Sequence, residues 1–152
     1  MKKDELRKAW HAAAMMSGAV TGAIFLYVAA VEGVEHFIPF TPPFTGFSAA
    51  ALRYVLYSLS FGVLFMFIRS TNEEPRGNSV ADAIRSLRAR ALRNAALCEL
   101  PALAGFVLFF LVGGYWDFYQ LAAFSFAMQL IHFPRYKDWE AKAREVYGLL
   151  LE

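Results

Sequence analysis

Four long apolar runs divide the chain and predict four membrane-spanning helices. They cover about residues 12–31, 47–68, 94–115 and 118–134. A helix needs roughly 20 apolar residues to cross the hydrocarbon core of a bilayer, and these runs have about that length. The alternation of apolar and polar residues that is typical of a transmembrane β-barrel does not occur. The pattern therefore predicts an all-α integral membrane protein, with residues 1–152 forming a single domain.

The polar segments between the runs differ in charge and predict the orientation. Apart from Arg53, every lysine and arginine lies before the first run, between the second and third, or after the fourth. The opposite loops carry Glu32, Glu35 and Asp117 instead. Because basic residues are retained on the cytoplasmic side, we expect both termini in the cytoplasm. The predicted location is a bacterial-type inner (plasma) membrane, crossed several times.

Three further segments predict local structure at the ends of the runs. SVAD at residues 79–82 is typical of a helix start and leads without a break into the third run, so the third helix should begin in the cytoplasm. GGYWD at residues 113–117 predicts a tight turn between the last two helices. The tail after residue 134 alternates apolar and charged residues at helical spacing. This predicts an amphipathic helix that extends the fourth helix or lies along the membrane.

Composition agrees with the membrane class and excludes several functions. Of the 152 residues, 58% are hydrophobic and 18% are charged, whereas about 25% are charged in soluble domains. The net charge of +2 is too small to suggest nucleic acid as a partner. The single cysteine, Cys98, excludes an internal disulfide. Neither a nucleophile elbow nor a phosphate-binding glycine loop occurs, so an enzyme is not predicted.

Small residues at intervals of four form one face of the first span. Ala14, Gly18 and Gly22 lie within AMMSGAVTGA, and this spacing lets helix backbones approach closely in a membrane. The face therefore predicts helix packing. Its partner is either a neighbouring span of the same chain or another subunit, and the sequence leaves both open.

Arg53 is the only basic residue inside a run. It precedes Arg69 by 16 residues, or about 24 Å of helix at 1.5 Å per residue. This distance places it near the outer headgroups. We expect it to pair with Glu32 or Glu35 there, or to extend its side chain into the headgroups.

Glu99 is the only acidic residue inside the third run. It follows Arg93 by about 9 Å of helix, and this count places it in the inner leaflet rather than at the midplane. The same counting puts Gln129, His132 and His11 at a similar depth. We therefore predict a polar cluster of these four residues, because buried polar groups need partners. It would either fix the helix register or relay a proton.

The two histidines and the glutamate of this cluster are also potential ligands of a metal ion or a haem. They lie on three different helices and show no local ligand spacing. We therefore predict no metal site and no cofactor.

ALCELPALAGFVLFFL, residues 96–111, resembles the carboxylate-bearing helix of the rotary ATP synthase proteolipid, the c subunit. In that family an acidic residue is followed by small and apolar residues, and sometimes by a proline and a glycine. The resemblance implies that Glu99 would bind a translocated proton or sodium ion within a ring of subunits. The whole chain is also similar to small bacterial four-span inner-membrane proteins.

Two functions remain as hypotheses. The first is a non-catalytic integral subunit or accessory protein that packs against other membrane-protein subunits, or against copies of itself, among membrane lipids. The alternative is a proton- or ion-translocating or transport component that uses Glu99 with Gln129 or His132.

Overall fold

Five α-helices make up the protein in the computed structural model, which describes residues 3–71 and 80–147 and the side chains of residues 3–66 and 81–144. In chain order the helices are α1 (Lys3–Phe37), α2 (Gly46–Thr71), α3 (Val80–Val112), α4 (Tyr115–His132) and α5 (Tyr136–Tyr147). None of these described residues forms a strand. The prediction of an all-α protein is confirmed.

Three of these helices are long and apolar enough to cross a membrane. They are α1, α2 over Gly46–Met66, and α3 over Ala81–Val112. The shorter α4 has 18 residues and carries Asp117 in its first turn and His132 in its last. At 1.5 Å per residue it is about 27 Å long. Three helices thus have the length and composition of membrane spans, and to this extent the predicted membrane character is confirmed.

α3 is the central helix, because it packs against α1, α2, α4 and α5. Small side chains allow these contacts: Ala95, Cys98, Ala102 and Ala104 are all buried. As predicted, α3 is continuous from the polar residues at its start into the apolar run. Its 33 residues make it much longer than a single span requires.

A tight turn joins α3 to α4 and makes them antiparallel neighbours, as the GGYWD sequence predicts. Gly113 adopts a positive φ of 70°, a conformation that is open to glycine at little cost. Its N–H donates to the Phe109 carbonyl oxygen at 2.8 Å, and the Phe118 N–H donates to the Gly114 carbonyl oxygen at 3.0 Å. These bonds end one helix and begin the next within two residues.

α3 and α4 approach each other closely at Gly105. A Cβ atom placed there would lie 3.1 Å from the Leu121 Cβ and 3.1 Å from both the Cα and the carbonyl oxygen of Phe118. These distances are shorter than ordinary van der Waals contact, and the atoms of Phe118 belong to the backbone. Only glycine fits at this position without moving α4.

α1 and α3 run side by side in the same direction. One buried cluster unites residues of both helices with α4: Ile24, Val31, Ala102, Phe109, Phe118 and Ala122. A second buried cluster joins the starts of the two helices, through Ala9 and Leu87 among others. α1 and α3 are therefore parallel neighbours.

α5 is a separate helix and does not extend α4, which corrects one of the two expectations for the tail. Residues 133–135 are not helical and separate α4 from α5. Within this segment, the Pro134 carbonyl oxygen accepts a hydrogen bond from Trp10 Nε1 at 2.9 Å. The apolar face of α5 then packs against the start of α1 and α3. The buried cluster there contains Leu6, Ala9, Ala13, Leu87, Trp139 and Ala143.

The loop between α1 and α2 folds over the far end of α3. The Phe44 N–H donates to the Leu111 carbonyl oxygen at 3.0 Å, and the Phe40 ring stacks on Phe109 with centroids 5.7 Å apart. Pro42 covers Gly113. The start of α2 is thereby held beside α3, while Phe47 remains 90% exposed.

Candidate functional site

Glu99 lies between α3 and α1. Its side chain is half-buried, and the Tyr27 hydroxyl donates to Glu99 Oε1 at 2.5 Å. The Tyr27 ring also packs against Phe106, one of the residues that share a face of α3 with Glu99, with centroids 5.2 Å apart. A hydrogen bond to a carboxylate is stronger than one between neutral groups. The pair therefore fixes α1 against α3.

The placement of Glu99 in the inner leaflet, about 9 Å beyond Arg93 along α3, stays a prediction.

Gln129 is buried between α3 and α4, where its Nε2 donates to the Ala95 carbonyl oxygen at 3.1 Å. Ser125, one helical turn earlier, is also buried and donates to the Cys98 carbonyl oxygen. The predicted contact of Glu99 with Gln129 therefore needs correction. The close approach of α4 lets Gln129 reach the backbone of α3, whereas Glu99 bonds to α1.

These two bonds are made close to Pro101 in α3. Pro101 has no N–H and cannot donate to the Leu97 carbonyl. Ser125 and Gln129 donate to the nearby carbonyls of Cys98 and Ala95. They therefore hold α4 against α3 on either side of Leu97.

The two histidines of the predicted cluster occupy other places. His11 is exposed, and its ring lies beside that of Trp10 with centroids 4.7 Å apart. His132 is half-buried and lines a pocket near Arg90 and Asn94. The four predicted residues therefore do not form one cluster around Glu99. Among the described residues, no group of three or more His, Cys, Asp and Glu is placed to hold a metal ion.

Arg53 forms an ion pair with Asp117, and not with Glu32 or Glu35 as predicted. Its Nε donates to Asp117 Oδ2 at 2.8 Å. The Tyr57 hydroxyl lies 3.0 Å from Asp117 Oδ1 and so joins the start of α4 to α2 as well. The reason for the correction is geometrical, because α1 and α2 contact α3 on different sides. Arg53 therefore reaches α4 rather than α1.

Glu32 bonds to α4 from the other side. It accepts hydrogen bonds from the Tyr115 hydroxyl at 2.8 Å and from the Tyr119 hydroxyl. His36 Nδ1 lies 3.2 Å from its second carboxylate oxygen, and Glu35 is exposed. The first two turns of α4 are thus tied to both α1 and α2.

The small-residue face of α1 is not covered by the described part of the chain. Gly18 and Gly22 are exposed, and a Cβ atom added at either would meet nothing within 4 Å. Ala14, at the edge of this face, is half-buried. Met15 and Leu26 beside it are 76% and 70% exposed. Of the two partners that the sequence leaves open, a neighbouring span of the same chain is not found at Gly18 or Gly22 among the residues described.

The tyrosine partners of both glutamates are the functional residues that sequence reasoning missed. Tyr27, Tyr115 and Tyr119 have apolar rings, so their positions match the hydropathy pattern of a span. Their hydroxyl groups were the one signal that could have indicated these bonds, since a buried tyrosine usually finds a hydrogen-bond partner.

Comparison with models of protein families, with curated proteins and with solved structures finds no match to this chain.

We expect the Tyr27–Glu99 bond to appear in a double-mutant cycle. Tyr27→Phe and Glu99→Leu should each lower the free energy of unfolding in detergent by about 1–2 kcal/mol, because each leaves one polar group unpaired. The loss of unfolding free energy in the double variant should be clearly smaller than the sum of the losses in the two single variants. Glu99→Gln serves as the control because it keeps an acceptor oxygen. Its free energy of unfolding should be closer to that of the parent protein. Strictly additive losses would show that the two side chains act independently.

Proposed function

We propose that the chain is a small four-span protein of a bacterial-type inner membrane, with both termini in the cytoplasm. Hydrogen bonds at opposite ends of α4 support the fourth span. Tyr115 at its start bonds to Glu32, and Pro134 just after its end accepts a bond from Trp10. Glu32 and Trp10 also lie at the two ends of the uncharged run of α1. α4 therefore extends over the same membrane thickness as that run. The distribution of basic residues supports the orientation.

The biochemical role proposed here is that of a non-catalytic integral subunit or accessory protein that packs against other membrane helices. The observation that carries it is the open face of α1 around Gly18 and Gly22. Lipid does not require glycine, whereas a closely approaching helix does, because backbone contact is possible only where side chains are absent. A second copy of the chain is the simplest partner, since two such faces are complementary to each other.

Association through this face can be tested with bulky substitutions. The parent protein, purified in mild detergent, should run as a dimer or larger complex in native mass spectrometry. The double substitution of Gly18→Leu and Gly22→Leu should reduce that complex to the monomer. Gly62→Leu is the matched control: Gly62 is also an exposed helical glycine with nothing within 4 Å of an added Cβ, but it lies on α2. A parent protein that is strictly monomeric and has no co-purifying partner would reject the proposal.

A second function, ion translocation by Glu99, is favoured by one observation. Glu99 is the only acidic residue of the apolar run 94–115, and its side chain is half-buried between α3 and α1. Two features weigh against a relay through α4. Glu99 bonds to Tyr27, and the donors of Gln129 are directed at the Ala95 carbonyl.

Proton flux distinguishes the two functions. If Glu99 carries a proton, proteoliposomes of the parent protein should dissipate an imposed pH gradient, and Glu99→Gln should abolish this flux. Tyr27→Phe is the control, since it removes the hydrogen bond but keeps the carboxylate. If the parent protein shows no flux, or if Glu99→Gln leaves it unchanged, the translocation hypothesis is rejected and the packing role of Glu99 stands.

A further inference from the structure

A pocket lies between α3, the corner that joins α4 to α5, and α5. Its volume is about 170 Å³, and its polar lining consists of Arg90, Asn94, His132, Arg135, Asp138 and Lys142. Drug-sized ligands usually occupy roughly 300–1,000 Å³, whereas one water molecule takes about 30 Å³. The pocket therefore has room for a small ionic group and not for a whole lipid. We call it the basic pocket.

The described residues that line the basic pocket include three cations, Arg90, Arg135 and Lys142, and one carboxylate, Asp138. The pKa of the Lys142 ammonium group is lowered, first because burial removes it from water and then because Arg90 lies nearby, and Asp138 offsets these effects only in part. An anion bound beside Lys142 would relieve both its burial cost and its repulsion from Arg90.

The walls of the basic pocket are held by contacts that are independent of any ligand. Trp139, which lines it, is buried in the cluster that joins α5 to α1 and α3. The bond from Trp10 to the Pro134 carbonyl fixes the corner between α4 and α5. A site on packed helices is formed in advance, so little ordering is needed when a ligand binds.

Asn94 adds a hydrogen-bonding group to this pocket. Its Oδ1 is buried and has no hydrogen-bond partner among the described residues. Buried polar atoms are rarely left without a partner. A hydroxyl group attached to the bound anion would supply the missing donor.

The basic pocket lies at the level of lipid headgroups if the proposed four-span topology holds. Of its basic residues, Arg90 lies just before the apolar run 94–115, and Arg135 directly follows the run 118–134. The cytoplasmic leaflet is the one rich in anionic lipids, and basic pockets between helices on that side are suited to their headgroups.

We infer that the basic pocket binds the phosphate group of an anionic headgroup through Arg90, Arg135 and Lys142. The chemistry recognised is a phosphate ester that carries a net negative charge and a hydroxyl group. A phospholipid such as phosphatidylglycerol and free phosphate both offer the charged part, so the experiment must separate these two sources.

Binding can be measured on the full chain in a neutral detergent, by thermal shift and by native mass spectrometry. The probes are short-chain phosphatidylglycerol, short-chain phosphatidylcholine and inorganic phosphate. We expect phosphatidylglycerol to bind at a stoichiometry of one, and the double substitution of Arg90→Gln and Lys142→Gln to weaken it at least tenfold. The double substitution of Lys8→Gln and Lys137→Gln removes the same charge from exposed positions outside the pocket and should leave binding unchanged.

Each outcome decides a different point. Phosphatidylglycerol binding that depends on Arg90 and Lys142 supports a lipid site, and an equal dependence of phosphate binding supports a site for soluble phosphate instead. Equal binding of phosphatidylcholine, or equal losses in the two double variants, would overturn the inference. The pocket lies within one chain, so this result is independent of whether α1 associates with a second copy.

Discussion

Close packing between α3 and α4 is the constraint on which the other contacts depend. Gly105 lets the two backbones approach, and a two-residue turn holds the helices antiparallel. Only at this distance can Ser125 and Gln129 reach carbonyl oxygens of α3. These hydrogen bonds hold α4 against α3 on either side of Leu97, whose carbonyl receives no bond from Pro101.

The central position of α3 determines what the remaining helices expose. α1 and α2 contact different sides of α3, so each has one face directed away from the chain. On α2 this face carries large apolar side chains such as Tyr54 and Phe65, which suit lipid. On α1 it carries Gly18 and Gly22, which suit another helix. The proposed association follows from this difference, because both faces are exposed and only one is formed by small residues.

The helices and the turn between the last two could be predicted from sequence, because run length and turn glycines are local properties. The continuous α3 and the turn at Gly113 are examples. The side-chain partners could not be predicted, since they depend on which helices are neighbours and on how they are aligned. Arg53 pairs with Asp117 because α2 lies beside the start of α4. Glu99 bonds to Tyr27 because α1 lies beside this face of α3, and a count of residues along α3 alone does not identify that neighbour.

The packing of α3 against α4 is tested most directly by adding one methyl group at Gly105. Gly105→Ala should lower the free energy of unfolding in detergent by about 1–2 kcal/mol, because the clash with the Phe118 backbone exceeds the gain in helix propensity. Gly62→Ala, at an open helical position, should leave stability unchanged or raise it by about 0.5–1 kcal/mol. If Gly105→Ala is as stable as Gly62→Ala, the two helices do not pack at this distance, and the arrangement around α3 is contradicted.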